Sequence, residues 1–363
     1  MGACCSADQK PDTQNVEIRN EDNKDNNIDF NQEDLGNEHQ KKQNLNSANP
    51  NSDQQENANT NQNGVTGSLK SKHAPPPQIA REISQIPNYP NFSSQKTLEK
   101  LGAFVYDQPD LEDADCIELG PHEFENGAVY IGQWKNGLRH GKGKQLWNDG
   151  SIYEGYWQSN TANGKGRLIH ADGDVYEGDW KDDKAHGKGI YIHLDGAKYE
   201  GEWFEDKQHG KGVETWPDGA KYDGEYDMGK KHGRGVFVWS DGSTYDGEFF
   251  NNNIHGKGTY SWADGRQYEG DWKNNKMDGK GKFTWSDGRK YEGQYVDDKK
   301  QGYGVFSWPD NRQYKGYWEN GKQHGRGKYL NSKGVEREGE WSEGKRLRWI
   351  SEDDANKESP APQ

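Results

Sequence analysis

The residues of this chain that could do chemistry fall in three places. The first is the opening hexapeptide, M-G-A-C-C-S, in which Gly2 and Ser6 match the N-myristoylation pattern M-G-x-x-x-[ST]. Cys4 and Cys5, two of only three cysteines in 363 residues, stand beside it. One myristoyl chain holds a membrane only marginally, so palmitoyl groups on these cysteines are the expected second signal. The alternative is an ordinary chain start with incidental cysteines, since a disulfide between adjacent residues would be strained. Few cysteines fit a reducing, cytosolic setting. Covalent myristoyl and palmitoyl groups are expected, and no other cofactor.

The second place is a ladder of histidines. Six of eleven precede a glycine: His140, His186, His209, His232, His255 and His324. Equivalent positions in successive hairpins lie roughly 10 Å apart, whereas Zn–N bonds are near 2.1 Å. They cannot share a metal, and a structural role before the glycine is expected. The third is a recurring Gly-Lys-Gly. A phosphate-binding Walker loop needs G-x-x-x-x-G-K-[ST] opening a helix, and neither spacing nor helix is present. Kinase signatures are absent, and no Ser-His-Asp or Cys-His pair stands out. The chain is expected not to be an enzyme.

The elements that carry these residues repeat. Nine 23-residue units run without insertion from Tyr130 to Glu336, and a tenth opens at Arg337. A fixed period of this size means stacked supersecondary units. Within a unit, positions 1, 3 and 5 read Tyr, Gly and an aromatic, with charges between them, which is strand alternation. Positions 12 to 18 read G-K-G-x-Φ-x-W and alternate in the same way. Asp-Gly at positions 20 and 21 in seven of nine units signals a tight turn. Each unit is therefore a β-hairpin. Gly recurs at position 3 in all ten units and at position 14 in all nine, which marks close approach of the neighbouring Tyr and Trp rings. The opposite face is charged, acidic at position 2 and basic at position 13, so cross-strand ion pairs are expected to occupy most of the lysines.

Taken in order, residues 1–6 form the acylation motif and 7–73 an Asn/Gln-rich tether without core-forming residues. Residues 74–116 are a transition, in which Ile79, Ile83 and Ile86 at helical spacing predict a short helix lying against the first hairpin or, alternatively, a linear motif that docks a partner, with a further strand at 102–106. A hairpin array with half-unit caps spans 117–350, where Lys345–Ile350 is expected to fold over the last edge. An acidic tail occupies 351–363. Residues 1–120 hold 10 basic and 20 acidic side chains and 121–349 hold 36 and 37, nets of −10 and −1. Neither is the basic footprint of a nucleic-acid binder, and no apolar run is long enough to span a bilayer.

The motif resembles the MORN (membrane occupation and recognition nexus) repeat family, whose Y-x-G-x-W…H-G-x-G…D-G recurs here, for example Tyr176-Glu177-Gly178-Asp179-Trp180 with His186-Gly187-Lys188-Gly189. The resemblance implies an all-β, elongated, single-layer run of hairpins used as a scaffold. Nine units at strand spacing make a rod roughly 90 Å long. A partner protein, cytoskeletal element or second copy is expected on the aromatic face, through the position-5 rings Trp134, Trp157, Trp180, Trp203, Tyr226, Phe249, Trp272, Tyr295 and Trp318. The other reading is that these rings are consumed in covering glycines. The expected location is the cytoplasmic face of a plasma or ciliary membrane. Similar arrays in radial-spoke head proteins suggest a structural subunit of a cilium instead. Phosphoinositide recognition, long attached to the family, is disfavoured by the near-zero net charge of the array.

Overall fold

The computed structural model describes residues 80–108 and 115–351. Gly2, Cys4, Cys5, the 7–73 tether and the tail beyond Ser351 lie outside the described residues. Twenty-two strands form one sheet. It is a meander: β1 (Arg81–Glu82) pairs with β2 (Ile117–Glu123), and each strand then pairs antiparallel with the next as far as β22 (Lys345–Trp349). Each unit supplies a seven-residue and a nine-residue strand, as in Val175–Lys181 and Lys184–Ile192.

Two turns alternate along the sheet. Inside a unit, positions 7 and 8 both take positive φ, as at Asn274 (49°) and Asn275 (67°). This is the two-residue turn whose twist matches the strands it joins, and it explains the Asn, Asp and Gly found there. Asp-Gly at 20 and 21 makes the wider turn between units, where the Trp147 N–H donates to Ser151 O at 3.0 Å and Asp149 Oδ1 accepts from the Ser151 N–H at 2.8 Å.

A bulge then shapes every unit. In the seventh, Gly270 faces Gly281 and Trp272 faces Met277, so Asp271 alone spans three residues opposite. The Asp271 carbonyl leaves the ladder, and the Tyr268 hydroxyl donates to it at 3.0 Å. The same bond recurs in unit after unit, at 2.8 Å in Tyr176 to Asp179 and 2.9 Å in Tyr199 to Glu202. Position 1 is Tyr rather than Phe because a buried carbonyl without a partner costs about 1–3 kcal/mol.

The core is a stack of rings. Tyr176 meets Trp180 of its own unit and Trp203 of the next edge-to-face, each at 5.1 Å. The Trp180 indole N–H donates to Gly166 O of the preceding unit at 3.0 Å. Rings thereby bury one another along the sheet, and a second layer is not needed.

Three expectations are corrected. Arg81–Glu82 is a strand paired with Glu123 and His122, not part of a helix. The open edge of β2 offers unpaired peptide groups, and an extended segment satisfies them where a helix could not. The helix of this region is α1 (Phe92–Leu101), capped by the Asn91 side chain, which accepts from the Ser93 N–H at 3.0 Å. No strand forms at 102–106, because that segment crosses the face of the sheet instead of joining an edge. Finally, Lys345–Trp349 pairs alongside Glu336–Ser342 instead of folding over it. Positive φ at Glu343 and Gly344 (50° and 81°) repeats the hairpin turn and completes the tenth unit.

Candidate functional site

The nine position-5 rings expected to grip a partner are between 1 and 8% exposed, from Tyr295 to Trp203. This corrects the expectation: they are interior residues, packed edge-to-face on the position-1 tyrosines, whose rings in turn cover the strand glycines. The face left open to solvent is the polar one.

Its pattern is set by the bulge. The position-4 carboxylate accepts from the position-13 N–H of its own unit, as Asp271 Oδ2 does from Lys280 at 2.8 Å. It also pairs with the position-13 ammonium of the preceding unit: Lys165–Asp179 at 2.6 Å and Lys257–Asp271 at 2.7 Å. The Lys257 ammonium thereby holds Asp271 below the usual carboxylate range. Position 13 was expected to pair with position 2, but the register sets Lys165 opposite Asp179 and Arg167 opposite Glu177. Position 13 is divided: Lys165, Arg234 and Lys257 are ion-paired, whereas Lys188, Lys211 and Lys280 carry no ion pair among the described residues.

The histidines at position 11 take local duties. His140 Nδ1 lies 3.3 Å from the Ser159 N–H and His255 Nδ1 3.4 Å from that of Asn274, each in the next unit's turn. His186 and His232 pack on Phe204 and Phe250. Among the described residues no group of three His, Cys, Asp or Glu is placed to hold a metal. Two Asp–His pairs form among these residues: His209 lies 3.5 Å from Asp227 at the surface, and Asp174 lies 2.9 Å from His193, but Asp174 also accepts from Tyr191 at 2.9 Å and from the Leu194 N–H at 2.8 Å. The Asp174–His193 pair serves a turn.

Position 8 clips neighbouring units together. Asp183 Oδ1 accepts from the Ala162 N–H at 2.7 Å, and the Asp183 N–H donates back to Ala162 O at 3.1 Å. Asp206 and Asp298 do the same at Ala185 and Met277. Burial raises the pKa of all three. A raised carboxyl pKa means that the folded state binds the proton better, so stability is lost as pH climbs above the ordinary Asp value. Asn fills this position in Asn160, Asn252 and Asn275. Replacing Asp183, Asp206 and Asp298 together with Asn is therefore expected to stabilise the chain at pH 7, by roughly 0.5 kcal/mol per site after allowing for solvent screening. Urea midpoints at pH 7 and pH 4 check this, the gain shrinking at pH 4.

Part of the polar face is already covered by the chain itself. Helix α1 rests Leu98 and Leu101 on Ile152, Ile169 and Val175. Beyond it, Tyr106 meets Tyr156 edge-on at 5.5 Å. Gln108 accepts from the Lys165 N–H at 2.8 Å, and its own N–H donates to Tyr156 Oη at 2.8 Å. Tyr156 occupies position 4, where a carboxylate would cap position 13. Gln108 supplies the missing acceptor from elsewhere in the chain. Arg167 anchors the segment by donating to Gly102 O at 2.6 Å and to Glu154 at 2.7 Å. Burial pushes the Tyr106 hydroxyl up to about 12.

Between this segment and the sheet lies a cleft of about 780 Å³, whose walls include Arg167, Lys188, Lys211, Glu177, Glu200 and Glu202. Acids and bases alternate across it, which suits a peptide carrying both signs better than a polyanion. The sequence reading missed this docking. The signal was present: Ile152 and Val175 at position 23, where the later units carry Lys198, Lys221, Thr244 and Gln267.

A single open sheet of repeated hairpins, with rings on one face and a patterned polar face on the other, defines a solenoid-like repeat scaffold. The chain belongs to the MORN repeat family: the family's model matches nine consecutive stretches, 130–152, 153–175, 176–198, 199–221, 222–244, 245–265, 268–288, 291–311 and 314–335. No curated protein matches the chain. Among solved structures it is similar to the TCP10 domain of Danio rerio CPAP in complex with a STIL peptide, at 12% identity over 63% of this chain and 97% of that one, TM-score 0.36. It is also similar to the TCP domain of SAS-4 of Drosophila melanogaster in complex with a proline-rich motif of Ana2 (8%; 59% and 96%; TM-score 0.24). A third is virginiamycin B lyase of Staphylococcus aureus (18%; 64% and 72%; TM-score 0.13).

Proposed function

We propose that this protein is a non-catalytic scaffold, anchored by acyl groups on Gly2, Cys4 and Cys5 to the cytoplasmic face of a membrane, whose rod engages a protein or cytoskeletal partner. The observation that carries the docking half is the segment 104–108 lying extended on the polar face, which is what a bound partner peptide would look like. The anchoring half rests on the M-G-A-C-C-S spacing. No helix among the described residues is long and apolar enough to cross a membrane.

The test is detergent fractionation and localisation of the tagged full chain beside a Gly2→Ala, Cys4→Ser, Cys5→Ser variant. The variant is expected to become soluble and diffuse. Retention of both forms in one detergent-resistant fraction would overturn the anchor and favour a built-in subunit of a cytoskeletal or ciliary assembly.

A further inference from the structure

On the polar face, breaks in the acidic-and-basic pattern mark where something lies. The first break, around Tyr156, is where the chain's own segment docks. A second stands at the other end of the rod. Position 13 of the eighth unit is Tyr303 and position 4 of the ninth is Tyr317. The two rings meet edge-to-face at 5.7 Å and are 51% and 56% exposed. Tyr156, in the same place as Tyr317, is 1% exposed because Tyr106 covers it.

The space beside Tyr317 is also open. In the middle of the array the position-4 side chain fills the room above the position-12 glycine, so that a Cβ on Gly187 would come within 2.8 Å of Asp179 and one on Gly210 within 2.5 Å of Glu202. A Cβ on Gly325 would meet nothing within 4 Å.

We infer that Tyr303, Tyr317 and the open space over Gly325 form a docking site for an extended segment of a partner protein, one with an aromatic residue followed two residues later by Gln, Asn, Asp or Glu. The aromatic ring packs on Tyr317 as Tyr106 packs on Tyr156, and the amide or carboxylate enters the open room over Gly325, taking the place beside position 13 that Gln108 takes at the Lys165 N–H of the second unit. Lys315 and Lys328 share the Glu336 carboxylate at 3.6 and 3.4 Å, and Glu338 and Glu340 lie opposite Lys328 and Arg326, so acids and bases alternate beside this site as they do beside the docked segment of the second unit. The chain's own 104–108 cannot serve both places, since the second and ninth units are roughly 65 Å apart at strand spacing. The site deepens the scaffold reading and rests on it.

The probe is a labelled peptide of the chain's own docking sequence, Ala-Phe-Val-Tyr-Asp-Gln, titrated by fluorescence anisotropy against the full chain made without acylation. Binding is expected, weakened about tenfold or more in Tyr317→Glu with the melting temperature unchanged. Glu stands at this position in Glu202, Glu225 and Glu248, so the variant has native precedents for folding. Tyr303→Lys, which restores the commonest residue at position 13, is expected to weaken binding as well. Absence of binding, or equal binding by wild type and Tyr317→Glu, overturns the proposal, the latter placing the peptide at the second unit by exchange. Self-association of the wild type that Tyr317→Glu removes also overturns it, by naming a second copy as the occupant. Because the protein is unacylated, failure here leaves the Gly2 localisation test standing, and the converse holds.

Discussion

Gly258→Ala lowers the stability of the array by about 3–5 kcal/mol, an effect far larger than one methyl group usually has. The added Cβ would lie 2.5 Å from Cζ of the Tyr245 ring and 2.6 Å from its Cε2. The ring cannot retreat, because it is held edge-to-face by Phe249 at 5.2 Å and Trp272 at 5.7 Å. Overpacking of this kind costs about 1–3 kcal/mol. Displacing the ring also breaks the bond from Tyr245 Oη to Glu248 O, 3.0 Å, and leaves a buried carbonyl unsatisfied at about 1–3 kcal/mol. Tyr245→Phe isolates the second contribution and is expected to show only that. Urea unfolding measures both. Limited proteolysis of Gly258→Ala is expected to cut near the sixth unit first, since each repeat touches only its neighbours.

Lys300→Met works in the opposite direction. Lys300 is 8% exposed and sits at position 10 of the eighth unit, where Met277 stands one unit earlier. Its ammonium lies 5.1 Å from the Trp285 ring centroid, 5.2 Å from Trp318, 5.4 Å from Tyr291 and 5.5 Å from Phe306. Burial, with Arg289 nearby, brings its pKa down to about 8 from an ordinary 10.5. At 1.36 kcal/mol per unit the burial of the ionised form costs about 3 kcal/mol, which cation–π attraction to the four rings partly offsets. With a depressed lysine pKa the folded state holds fewer protons than the unfolded one between pH 8 and 10.5, so stability from this residue rises with pH across that window. Lys300→Met is therefore expected to gain about 1–2 kcal/mol at pH 7, with the advantage narrowing by pH 9.5. A constant difference between pH 7 and 9.5 would show that Lys300 is not titrating there. Lys231, the equivalent residue of the fifth unit, pairs with Glu214 at 2.7 Å.

The hairpins were legible because their periodicity is local: Tyr, Gly and Trp at alternate positions write the inner face, and Asp-Gly writes a turn. The fate of the position-5 rings was not legible. Alternation says that they share a face, but not that Trp180 donates to Gly166 and packs against Tyr153 of the unit before it at 5.1 Å. Register hid the charge pairing for the same reason. Across the regular junction between units Gly166 faces Gly178, so Lys165 meets Asp179 rather than the acid at position 2. The N-terminal segment was legible only through exceptions. Ile83 and Ile86 suggested a helix by spacing, whereas Ile152, Val175 and Tyr156 on the array were the apolar places waiting to be covered.

Hydroxyl-radical footprinting of the full chain, read residue by residue, tests most directly whether the aromatic face is a core and the polar face the docking surface. Expected are protection of Trp157, Trp180, Trp272 and Trp318, protection of Tyr156 that is lost when Tyr106 and Gln108 are replaced by Ala, and strong labelling of Tyr303 and Tyr317. Strong labelling of the position-5 tryptophans in the folded chain, with Tyr317 protected, would contradict it and return the partner to the aromatic face.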